Sequence, residues 1–332
     1  MVIMIKRAAV LVLVLVCSPA CGYFINGADQ ILPAATKIPT LFIAPQGNSS
    51  LRISPALPEK PAPSETLRAG LEQPPPVTGR MSAIPGYRQN DPAFGGLPGA
   101  EEDDPGSMYC APAAVSNSLM WLDDNGFEDI VKEDSEDRKF DQFRLILELS
   151  KPDYLNTNVK LGTSHANILE GLERFLNERG YLYEELGHQG WMPVPEEYNR
   201  GDLVSLDWMK EGLRGCGSVW FSAGFYEYFP EFDIYRLKRS HMVTLVGFSP
   251  KGKGEYSNAL IVHDPLQGDG SEPKNLYIQA ERINSGVIEG SALGLPRPAE
   301  GYYRLEGLSK GEAEIAILNS VIVLKMPGDC PD

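Results

Sequence analysis

A cysteine, a histidine and an aspartate stand where they could serve as a nucleophile, its base and the acid that orients the base. Cys110 lies in Met-Tyr-Cys-Ala-Pro-Ala-Ala-Val, where a loop rich in Gly, Pro and acids turns into the first strong helical pattern. A thiol at a helix N-terminus feels the positive end of the helix dipole, which favours the reactive thiolate. Pro112 suits a first helical turn, because proline has no N–H to lose there. Downstream, Ser-His-Met-Val-Thr-Leu-Val-Gly places His241 at the opening of an apolar strand. Ala-Leu-Ile-Val-His-Asp-Pro ends a second strand on Asp264. An imidazole beside a thiol takes its proton or pairs with it, and a carboxylate behind the imidazole fixes its tautomer. Each residue also has a plain structural reading: a buried cysteine, a hydrogen-bonded strand-end histidine, and a turn-starting Asp-Pro.

The elements that must position these groups divide by period. Apolar spacing predicts helices over residues 111–122 and 139–150, a third opening at Ser164 and stopping at Gly180, and a short fourth over 206–214. Alternation then predicts strands over 218–225, 241–248 and 258–263, with later ones at 302–305 and 320–325. Helices followed by antiparallel strands make an α+β domain, with the three residues split across its halves.

Residues 1–20 read as a secretory signal peptide. Lys6 and Arg7 precede an apolar run, and Ser18-Pro19-Ala20 offers a cleavage site. The run is too short to span a membrane, which takes about 20 apolar residues. Cys21 then follows the cut, as in bacterial lipoproteins, so two readings stand: a secreted or periplasmic protein, or one lipid-anchored at the cell envelope through Cys21. Residues 21–80 are punctuated by prolines and read as a linker or tether, with one short strand over residues 40–43, leaving 81–332 as the folded domain.

A net charge of −15 and the lack of a basic run argue against nucleic acid and against anionic lipid surfaces. The acidic runs at 101–104 and 128–137 lack EF-hand spacing and read as solvated faces. No close-spaced metal-ligand pair occurs, and no cofactor is expected. With Cys17 in the leader and Cys21 acylated, an economical assignment pairs Cys216 with Cys330 and leaves Cys110 as a thiol. Both could equally be reduced.

The segments YCAPAAVSNSLMWL, SHMVTLVGF and ALIVHDP resemble the three catalytic blocks of papain-fold cysteine peptidases, most closely the bacteriocin-processing-peptidase-like (C39-like) group. The resemblance covers about residues 84–265. It implies a papain-like fold, with an N-terminal helical lobe, a C-terminal antiparallel β half and the site in the cleft between them. It also implies Cys110 as nucleophile, His241 as base, Asp264 as third member and Gln89, in Gly-Tyr-Arg-Gln-Asn, as oxyanion donor. Ala111 replaces the family's glycine after the cysteine, and Gln89 lies 21 residues before Cys110, a longer gap than is usual there. The expectation is an extracytoplasmic cysteine hydrolase acting on a peptide or protein. The alternatives are an acyltransferase or non-peptide amidase on the same triad, and a surface-tethered binding module whose site has decayed.

Overall fold

The long alternating runs after residue 217 dominate the architecture. The computed structural model describes residues 78–331 except 81–82, 93–94, 100–104, 133–134, 250–258, 268–273, 291–294 and 309–313. The expected signal peptide, Cys21, the expected strand at 40–43, the expected linker as far as residue 77 and the acidic run at 101–104 lie outside the described residues.

Among the described residues there are four α-helices: α1 (Cys110–Asp124), α2 (Arg138–Leu149), α3 (His165–Glu178) and α4 (Leu206–Gly212). Their starts follow local chemistry. The Asp137 carboxylate accepts from the N–H groups of Lys139 and Phe140, and Ser164 Oγ accepts from Asn167 N at 3.1 Å. The described residues also form ten strands: β1 (Thr78–Gly79), β2 (Glu185–Gly190), β3 (Gly217–Phe229), β4 (Ile234–Phe248), β5 (Leu260–His263), β6 (Asn275–Arg282), β7 (Val287–Glu289), β8 (Arg297–Pro298), β9 (Tyr303–Glu306) and β10 (Glu314–Lys325).

Six strands close on themselves. β3 pairs with β4, β4 with β5, β5 with β6, β6 with β9, β9 with β10, and β10 back with β3, every pairing antiparallel. The ring is a β-barrel, and full closure removes the strand edges that would otherwise template aggregation. Inward residues from all six strands form one apolar cluster that includes Phe221, Val243, Val262, Ile278, Leu305 and Val323. Met209 and Leu213 join that cluster, so α4 covers one mouth of the barrel.

The expected papain-like arrangement, with a helical lobe, a separate β half and a cleft between them, is overturned. Sheet predominates, the strands close into a barrel, and the helices do not form a lobe of their own. α1, α2 and α3 lie on the barrel's outer face and share a core with it: Leu119 and Leu122 of α1 and Phe175 of α3 cluster with Trp220, Met242, Ile261, Ile322 and Leu324 from outward strand positions. The physical reason is that both faces of β3, β4 and β10 are apolar. One face fills the barrel and the other must be covered by helices.

A bulge at Asn319 shifts the register of β10 against β3 between Leu318 and Ser320. Ala316 and Leu318 point inward before the bulge, and Val321 and Val323 after it. Ser320 is thereby turned outward, toward α3.

Candidate active site

α1 docks through polar groups as well as apolar ones. The Ala114 carbonyl accepts from Trp220 Nε1 on β3 at 3.0 Å and from Thr244 Oγ1 on β4 at 2.8 Å. Asn117 donates to Thr244 Oγ1 at 3.3 Å and accepts from Tyr87 N at 2.9 Å and Gln142 Nε2 at 2.8 Å. These bonds fix the helix along the outer face of β3 and β4. Cys110 is its first residue, and no side chain caps the turn that it opens.

His241 does not open its strand. It stands midway along β4, which begins at Ile234 and whose first half is a partly exposed ribbon. Asp264 follows the last residue of β5, the neighbouring strand. The ladder brings the two side chains together: His241 Nε2 lies 2.5 Å from Asp264 Oδ1, with both side chains almost fully buried. The same carboxylate oxygen accepts from Leu266 N at 2.9 Å, which ties it into the turn that follows. With Nε2 engaged by Asp264, Nδ1 is the ring nitrogen left for Cys110, which interacts with His241 by hydrogen bond and charge.

Burial by itself pushes the His241 imidazole toward its neutral form. The Asp264 carboxylate and then Cys110 outweigh it, raising the pKa to about 10. Burial likewise acts to raise Asp264, yet the His241 charge, its hydrogen bond and the Leu266 N–H hold the carboxyl below its usual range. At neutral pH the pair is imidazolium and carboxylate, set beside a thiol at a helix start.

Gln89 is fully buried, and its amide nitrogen donates to Gly106 O at 3.0 Å and Ser107 O at 2.8 Å. Those two carbonyls account for its two amide protons. Its backbone N–H donates to Pro265 O at 2.9 Å. Gln89 therefore links the turn after Asp264 to the loop before Cys110. Gly106 is required there: its φ is +72°, and a Cβ would fall on the Gln89 carbonyl.

Cys110 and His241 line one small pocket with Ala111, Gly162, Thr163, Ser222, Ser240 and Met242, leaving a cavity of about 10 Å³, close to what a single water needs. Ser222, Ser240 and Thr163 carry no sequence motif. Nothing in the sequence singles them out, because each is one hydroxyl among many and only the fold brings them to the thiol.

The other histidines have separate surroundings. His263 Nδ1 lies 3.2 Å from Pro85 O and its Nε2 3.0 Å from Asn275 Oδ1. His165 Nε2 lies 2.6 Å from Ser320 Oγ, and its ring stacks edge-on against His188 with centroids 5.5 Å apart. His188 belongs to β2. Neither of its ring nitrogens has a hydrogen-bond partner among the described residues. Cys216 and Cys330 form a disulfide. No group of three or more His, Cys, Asp or Glu side chains suited to a metal occurs among the described residues.

No protein-family model matches this chain, and no curated protein matches it.

Proposed function

We propose that this protein is a cysteine hydrolase, most simply a peptidase, using Cys110, His241 and Asp264. The observation that carries the reading is the buried His241–Asp264 pair, 2.5 Å apart, sharing a pocket with the thiol at the start of α1. The Cys110 thiolate attacks an amide carbonyl carbon, forming a C–S bond while the carbonyl electron pair moves onto oxygen. The first-turn N–H of Cys110 supplies one donor to that oxygen. His241 gives its proton to the departing amine, and water, deprotonated by the then neutral imidazole, releases the acyl group and restores the thiolate. Asp264 keeps the ring oriented and stabilises its charged form. The Cys216–Cys330 disulfide supports an extracytoplasmic site of action, since disulfides persist in oxidising compartments.

Two observations favour a second reading, a binding module without turnover: the pocket has room for little more than one water, and the Gln89 amide protons are directed at backbone carbonyls. Two measurements decide between them. A mixed peptide digest incubated with the protein and read by mass spectrometry is expected to gain new termini that Cys110→Ala and His241→Ala each abolish. Iodoacetamide, small enough for a narrow site, is expected to alkylate Cys110 at pH 6 at least ~10-fold faster than a thiol of ordinary pKa, about 8.5. No new termini together with an ordinary alkylation profile would overturn the hydrolase.

A further inference from the structure

Two hydroxyls share the pocket with the thiol and have no other employment. Ser222 on β3 is opposite Met242 on β4, and Ser240 is opposite Gly224, so the two serines are diagonal neighbours on one face of the ladder. It is the outer face: Trp220 and Thr244, at matching positions, reach the Ala114 carbonyl of α1. Moving along β4 from Thr244 to Met242 and Ser240 leads past the first turn of α1. Both serines are at most 4% exposed, and neither Oγ has a hydrogen-bond partner among the described residues. Burying a hydroxyl with nothing to bond is costly, and two such groups beside one reactive thiol point to a ligand that supplies the missing acceptor.

We infer that Ser222 and Ser240 donate to the carbonyl oxygen of the bond under attack, completing with the Cys110 N–H an oxyanion site in which Gln89 takes no part. This rests on the hydrolase reading above. As the Sγ–C bond forms, the carbonyl π pair becomes a lone pair on oxygen, and neutral O–H donors held in a narrow, buried pocket stabilise that charge without contributing a proton. They are released when the pair returns and the leaving group departs. Gln89 keeps a positioning role, since its amide anchors the loop that leads into Cys110.

The test separates carbonyl attack from thiol reactivity in the full folded chain. Acylation by p-nitrophenyl acetate passes through an oxyanion and is read as the nitrophenolate burst. Alkylation by iodoacetamide displaces iodide at carbon and forms none. In Ser222→Ala/Ser240→Ala the burst rate is expected to fall by about 10²-fold or more, with alkylation within about threefold of wild type. The melting temperature should not fall, because the hydroxyls removed hold nothing in the fold, and Ser240→Thr should retain more of the burst rate than Ser240→Ala. An unchanged burst rate, or burst and alkylation falling together, overturns the assignment of the serines. A wild-type thiol that neither reagent modifies sinks the hydrolase reading itself, and this one with it.

Discussion

Asp264 uses one oxygen for two purposes. Oδ1 takes the His241 Nε2–H and the Leu266 N–H, so the atom that charges the imidazole also anchors the turn. Asp264→Asn can offer an oxygen to both donors while losing the charge that keeps the ring protonated. Under the proposed mechanism, kcat/KM should drop by about 10²- to 10⁴-fold with the fold retained, as for the equivalent change in serine triads. Iodoacetamide alkylation should then lose its advantage at pH 6 in the same variant, and an unaltered alkylation profile would argue against an ion pair at Cys110. At this scale much was legible in the sequence. Cys110, His241 and Asp264 each follow a local pattern: a loop-to-helix junction, or a polar residue bordering an apolar run. Gln89 and the two serines were not legible in the same way. What Gln89 bonds depends on the path of the loop that returns to Gly106, and Ser222 and Ser240 carry no mark in a one-dimensional pattern.

Helix α1 is the element on which the site depends, and Asn117 is its joint with the barrel. The side chain meets Tyr87 N, Gln142 Nε2 and Thr244 Oγ1, all buried. Asn117→Ala leaves Tyr87 N without its acceptor and takes one bond each from Gln142, which keeps Ser116 Oγ, and Thr244, which keeps the Ala114 carbonyl; it should cost about 1–3 kcal/mol, read as a lower urea midpoint at unchanged slope. Because the same joint sets where the helix begins relative to β4, the variant should also slow Cys110 alkylation. Stability lost with full reactivity would mean that Cys110 is positioned from elsewhere. The helices could be read from the sequence because their caps and stops are local, as at Asp137, Ser164 and Gly180. The barrel could not. β6, with its Gln, Glu and Arg, and the ribbon half of β4, with Arg236, Lys238 and Arg239, show no clean alternation, since both of their faces are partly exposed. Closure itself is non-local: it depends on β10 finding β3 on one side and β9 on the other.

For the molecule as a whole, acid is the expected weakness. Burial holds the His165 imidazole well below its ordinary pKa, with His188 adding to the effect, and burial alone brings His188 down to about 4. A base whose folded pKa is depressed takes up protons more readily when unfolded. Stability from this pair is therefore complete above about pH 6.5 and declines as pH falls toward 4. The His188 shift alone corresponds to about 3 kcal/mol. His241 has the opposite sign: its raised pKa contributes stability below about pH 6.5 that is lost as pH climbs through 10. Urea unfolding should give a stability maximum near neutrality, and His188→Gln should flatten the acid limb; an acid limb unaffected by that change would rule out the pair as its cause. The disulfide adds a constraint of a different kind. Cys110, Cys216 and Cys330 can pair in three ways, and two of the three consume the proposed nucleophile. Only the native pairing leaves Cys110 as a thiol, sequestered at the root of α1. Under the proposed mechanism, in an oxidising compartment an error of oxidative folding and the loss of the reactive thiol are then one event, so every correctly crosslinked molecule is delivered with Cys110 intact.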